Sequence, residues 1–77
     1  MKNVSVYTTP TCQYCKMAKE FFQANNVNYT EHDVSVDEAM RNEMVEKSGQ
    51  MGVPVIDIEG EVVVGFDEPR IKEILGL

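Results

Sequence analysis

Two cysteines stand near the start of the chain, in TTPTCQYCKMAKEFF (residues 8–22), with two residues between them. They are the only two in 77 residues. Three kinds of chemistry use such a pair: metal binding, a structural crosslink, and thiol–disulfide exchange. Two thiolates supply half of a tetrahedral zinc site. The single histidine, His32, lies between Glu31 and Asp33, where a packed or solvated side chain is the ordinary outcome. A crosslink between Cys12 and Cys15 would close a four-residue segment and restrain the unfolded chain little. Exchange chemistry fits the spacing directly. One sulfur forms a mixed disulfide with the substrate and the second releases it.

That chemistry needs one reactive thiol, so the elements around the pair matter. NVSVY (3–7) alternates and is β-branched, which predicts a strand. TTPT then turns the chain. From Cys12 to about Asn25 the apolar Tyr14, Met17, Ala18, Phe21 and Phe22 recur at helical spacing, with Thr11 as the expected N-cap. Cys12 therefore falls at a helix start, where free N–H groups and the positive end of the dipole favour a thiolate. Cys15 comes nearly one turn later, on the face that Ala18 and Phe22 carry into the core. Cys12 is expected as the exposed attacker and Cys15 as the sheltered resolving thiol.

Asn25-Asn26 closes the helix, and VNYTEHDV (27–34) predicts a second strand. Ser35 with Glu38 fits a capping box. The helix behind it carries Val36, Met40 and Met44 on one stripe and ends near Ser48-Gly49. VPVIDI and EVVVG flank Glu59-Gly60 as a hairpin. Asp67 caps a last helix with Pro69 in its first turn and Ile71, Ile74 and Leu75 facing inward. Met17, Phe21, Phe22, Met40 and Met44 are expected in the core, and Tyr7 as packing. The order is β-α-β-α-β-β-α. A right-handed crossover makes the first two strands parallel, and helices cover both faces of a four-stranded mixed sheet.

Composition removes other classes of function. Seventy-seven residues make one domain, 1–77, with 43% hydrophobic and 26% charged residues. The apolar runs fall short of the ~20 residues of a membrane span, and MKNVSVYTT has no apolar signal core. A cytoplasmic protein with reduced thiols is the expectation. Seven basic against thirteen acidic residues give a net charge of −6, which disfavours nucleic acid as a partner.

Three segments, VYTTPTCQYC, GVP (52–54) and VGFDE (64–68), resemble the active-site segments of glutaredoxins, and the resemblance covers essentially the whole chain. It implies the thioredoxin fold and a monomeric thiol-disulfide oxidoreductase acting on glutathionyl and protein disulfides. Glutathione would be the co-substrate, with no tightly bound cofactor and no metal. Gln13 stands where the family usually has proline, and Tyr14 is kept and would line the substrate groove. Val53-Pro54 matches the family's cis-proline segment, in which the backbone before the proline pairs with the substrate like an added strand. For glutathione itself, Arg41 matches a carboxylate-binding place on the second helix, whereas Thr9 brings no charge to a place that is basic in the family. Gly65, Asp67 and Glu68 fall where the γ-glutamyl end is received. Val64 departs from the family's Gly-Gly.

Phe66 after Gly65 resembles instead the redoxins that take electrons from a flavin-dependent reductase, thioredoxin reductase, and pass them to ribonucleotide reductase. A third implication, through family members that lack the proline, is a [2Fe–2S] cluster shared between two monomers.

Overall fold

The protein's structure, a computed structural model, describes residues 2–77. Its elements are β1 (Val4–Thr8), α1 (Gln13–Ala24), β2 (Tyr29–Asp33), α2 (Glu38–Ser48), β3 (Val55–Ile58), β4 (Glu61–Val64) and α3 (Glu68–Leu75). The sheet runs β2-β1-β3-β4. β1 and β2 are parallel; β3 is antiparallel to both β1 and β4. The expected order, sheet and hairpin are all present.

Alternation in β1 explains the layering. Val4 and Val6 face one side, with Ile56, Ile58 and Val63 of the neighbouring strands and with Ala18, Phe22, Ile71 and Ile74 of α1 and α3. Tyr7 faces the other side with Val34, Val55 and Met44 of α2. Leu75 packs at the edge of the first cluster. The β3–β4 turn is two residues long, and both take positive φ, Glu59 at 51° and Gly60 at 93°. That geometry matches the right-handed twist of a hairpin, and a side chain at Gly60 would strain it. Asn26 likewise takes φ 56° where α1 stops.

Four expectations are corrected. Cys12, not Thr11, caps α1. Asp37, not Ser35, caps α2, its carboxylate accepting from the Met40 amide at 3.1 Å. The reason is local: the Asp33 carboxylate accepts from the Ser35 amide at 2.9 Å, which holds Ser35 in a turn before the helix. Val36 is thereby left outside α2 and is 82% exposed. Met17 is 41% exposed rather than core, because α1 buries only Cys15, Ala18 and Phe22 fully.

Candidate active site

β1 delivers the chain to a tight turn in which the Cys12 amide donates to the Thr9 carbonyl at 3.3 Å. Cys12 has extended backbone (φ −84°, ψ 113°), and its carbonyl accepts the first helical bond from Lys16 at 3.2 Å. Its Sγ accepts from the Cys15 amide at 3.1 Å, as a serine or aspartate oxygen does at an ordinary N-cap. The cap is thus itself a cysteine. Negative charge on that sulfur meets an N–H and the positive end of the helix dipole, and no acidic residue in the first turn opposes it.

Cys12 and Cys15 are disulfide-bonded, with Cα atoms 5.2 Å apart. Cys12 is half-buried, and Cys15 is 1% exposed on the face of Ala18 and Phe22. Among the described residues no group of three or more His, Cys, Asp or Glu could hold a metal. His32 stacks on Tyr7 with ring centroids 5.1 Å apart, as a packed strand residue.

The strand register brings the other expected segments to the same end. Val55 pairs with Tyr7, so Val53-Pro54 lies level with the last residue of β1 and the turn beyond it. The Val53–Pro54 bond is cis, and Pro54 is buried. The Pro54 carbonyl accepts from the Gly65 amide at 2.8 Å, which ties the third segment to the second. Gly65 has φ 82°. Asp67 caps α3, accepting from the Arg70 amide at 3.3 Å, and Glu68 pairs with Lys72 at 3.3 Å. α2 also starts at this end, since Thr8 pairs with Asp33. Arg41 sits in its first turn, half-buried, and its guanidinium has no ion pair among the described residues; Glu43 pairs with Lys47 instead. Thr9 is half-buried, Gln13 is exposed and Tyr14 is 62% exposed.

Two arrangements at the site were not foreseen. The buried Thr8 hydroxyl donates to Glu31 at 2.9 Å, and Lys19 meets the same carboxylate at 2.8 Å. The Lys19 bond, helped by Thr8 and opposed by burial, holds the Glu31 carboxyl below its ordinary range. Nothing local in the sequence shows this, because it depends on the parallel register. Phe66 packs against Phe21 at 5.8 Å, across the gap between α3 and α1.

A glutaredoxin family model matches residues 4–63, which include both cysteines and Val53-Pro54. The chain belongs to the glutaredoxin family. An uncharacterized glutaredoxin-like 8.6 kDa protein in a rubredoxin operon of Clostridium pasteurianum is 39% identical over 94% of this chain and 96% of that protein. Glutaredoxin 3 of Escherichia coli is 37% identical over 88% of the chain and 82% of its own length. A point mutant of the thioredoxin-like protein BC3987 superposes with a TM-score of 0.91 at 39% identity, covering 99% of this chain and 97% of that one. The fold is therefore the thioredoxin fold, and this member of the glutaredoxin family is a thiol-disulfide oxidoreductase with a redox-active cysteine pair. The family match stops at residue 63, before Gly65, Phe66, Asp67 and Glu68. No helix among the described residues is long and apolar enough to cross a membrane.

Proposed function

We propose that the protein is a glutathione-dependent oxidoreductase, one domain acting as a cytoplasmic monomer. Cys12 thiolate attacks the glutathione sulfur of a mixed disulfide, and the substrate leaves as a thiolate. A second glutathione then attacks the glutathione sulfur held on Cys12, which gives oxidised glutathione and restores the thiolate. With a protein disulfide, Cys15 attacks Cys12 instead and leaves the bonded pair. The reading is carried by one juxtaposition: an Arg41 guanidinium without an ion pair among the described residues, on the helix that starts at the end of the sheet where the Cys12 sulfur caps α1. A free guanidinium offers a carboxylate two parallel hydrogen bonds. The Val53 backbone and the Asp67 turn supply the remaining contacts for the tripeptide, and Gln13, Tyr14, Gly65 and Glu68 border it.

The test is turnover of the mixed disulfide of glutathione and 2-mercaptoethanol, with glutathione or a flavin-dependent thioredoxin reductase supplied separately. A charged contact at an exposed site is worth ~1 kcal/mol, about fivefold in affinity. Thr9→Lys should lower KM by that factor, mainly at low salt, and Arg41→Ala should raise it. Unchanged kinetics in both variants, together with ready reduction by the flavoenzyme, would replace this reading with a redoxin. One observation favours that second reading: Phe66 on Phe21, with Tyr14 and Met17 exposed nearby on α1, makes an apolar border suited to a protein partner.

A further inference from the structure

α1 carries an apolar stripe that meets the core only at Phe21. Tyr14, Met17, Phe21 and Ala24 follow one another at spacings of three and four, and Tyr14 and Met17 are 62% and 41% exposed. Such spacing places them on one face of the helix. Phe66, just before the α3 cap Asp67, packs on Phe21 beside this stripe. An open groove of about 350 Å³ is lined there by Met17, Phe21, Ala24 and Phe66 together with Glu20 and Glu68. Small-molecule sites enclose ~70–90% of their ligand's surface. This groove lies open along a helix and suits a side chain delivered by a larger partner.

The charges choose among partners. Glu20 has no ion pair among the described residues, while Glu68 is held by Lys72 at 3.3 Å. The chain as a whole is at −6. Lys or Arg can lay its aliphatic stem along Met17 and Phe66 and keep its head at the Glu20 carboxylate, with the aromatic faces adding a cation–π attraction. The stripe also starts beside the reacting sulfur. Met17 and Phe21 come five and nine residues after Cys12, about 7.5 to 13.5 Å along the helix axis. An extended chain covers that distance in about 2 to 4 residues.

We propose that this groove is a specificity site for protein disulfide substrates, and that it takes an apolar residue adjacent to Lys or Arg, about 2 to 4 residues from the cysteine that exchanges with Cys12. The proposal rests on Cys12 being the attacking thiol but does not require glutathione. Cys12 thiolate attacks the substrate sulfur, and the substrate's other sulfur departs as a thiolate. Cys15 thiolate then attacks Cys12 and releases the first. Two protein thiols are oxidised and one substrate disulfide is reduced.

The probe is a set of synthetic peptides, each with one cysteine bonded to thionitrobenzoate, whose release is read by absorbance. Reduced protein is used in single turnover, so no recharging system enters. One peptide has Phe-Arg about three residues from its cysteine, a second has Phe-Glu there, and a third has Phe-Arg about eight residues away. The first should react about fivefold faster than the second, which lacks the charge contact, and about 25-fold faster than the third, which lacks the apolar contact as well, and the margin over Phe-Glu should shrink in high salt. Glu20→Lys should erase or invert the Arg-over-Glu preference. Met17→Ser should slow the first two peptides by about fivefold and leave the third unchanged. Both variants should turn over the small glutathione mixed disulfide as the parent does. Equal rates on all peptides, a preference that survives Glu20→Lys, or a concentration-dependent dimer abolished by Met17→Ser would overturn the proposal. Failure to use glutathione, with the peptide preference intact, would remove only the preceding reading.

Discussion

Replacing Lys47 by Met should destabilise the protein by far more than loss of a surface lysine normally does. The Lys47 ammonium donates to the Asp57 carboxylate at 2.7 Å and to the Tyr7 hydroxyl at 2.9 Å, and it meets Glu43 at 3.3 Å. It also lies 5.3 Å from the centre of the Tyr7 ring. Tyr7 is 1% exposed, so its hydroxyl loses a partner in the variant. α2 buries only Met44 fully, which makes this polar pin a large part of what holds it on the sheet. Methionine keeps most of the stem's packing and removes only the charge and donors. One charge-assisted bond to a well-covered carboxylate at the low end of its range, one to a buried hydroxyl, and a partly screened pair sum to ~3 kcal/mol. For a chain this short each kcal/mol moves Tm by roughly 4–8 °C, so a fall of roughly 12–24 °C is expected.

The same network sets a pH signature. The Asp57 bond, then the Tyr7 bond, holds Lys47 well above its ordinary value despite its burial. Its stabilisation is therefore complete below the ordinary lysine pKa, ~10.4, and is lost as pH rises toward the folded value. Burial pushes Asp57 up, but the bonds from Lys47 and the Gly60 amide outweigh it and leave the carboxyl below its ordinary range. Its contribution is complete above the ordinary aspartate pKa, ~3.9, and is lost as pH falls through the folded value. Urea denaturation of parent and Lys47→Met between pH 2 and 11 reads both limbs, and the variant should lose the alkaline limb and part of the acid one. A destabilisation below ~0.5 kcal/mol, the scale of an exposed ion pair, with both limbs intact would refute the argument.

Cys12→Ser should abolish all exchange, whereas Cys15→Ser should retain deglutathionylation and lose reduction of protein disulfides; alkylation and mass mapping at pH 6 should label Cys12 before Cys15 in the reduced protein. Phe22→Ala, at a fully buried position shared by α1 and the sheet, should cost about 3–5 kcal/mol in denaturant unfolding. Gly60→Val, which forces a β-branched side chain onto φ 93°, should cost ~1–2 kcal/mol with kinetics at the cysteines unchanged.

What the sequence made legible was mostly local. The Cys12–Cys15 spacing, the alternation of β1, the Glu59-Gly60 hairpin and the Asp67 cap with Pro69 each lie within a few residues and rest on backbone geometry. The failures share a different cause. Ser35 and Asp37 are equally good caps by composition, and the Asp33 carboxylate decides between them. Met17 and Val36 satisfy helical periodicity, but periodicity gives the direction of a face and not how wide a strip the neighbours cover. The Lys47 hub joins residues 7, 43, 47 and 57, and the Thr8–Glu31–Lys19 cluster joins two strands and a helix. Both need the strand register before they can be seen at all.

Topology explains why so short a chain concentrates its chemistry at one end. β1 and β2 run in parallel, so the segments that follow them, Thr9–Cys12 and Val34–Asp37, emerge together. β3 is antiparallel to β1, so the segment entering it, Val53-Pro54, joins them, and β4 brings Gly65–Asp67 back to the same edge. The opposite edge holds Asn26, Glu59, Gly60 and Gly76, all with left-handed backbone in tight reversals. Those positions are constrained by the turns themselves, whereas the cap at Cys12 is built from its own sulfur and backbone groups and uses no side chain of Thr9, Gln13 or Tyr14. Gln13, Thr9 and Phe66, the positions at which the resemblance to the family leads one to expect other residues, lie outside those turns. None of these side chains enters the Cys12 cap or the Cys12–Cys15 bond, so on the proposed reading they act on which disulfide reaches the sulfur pair.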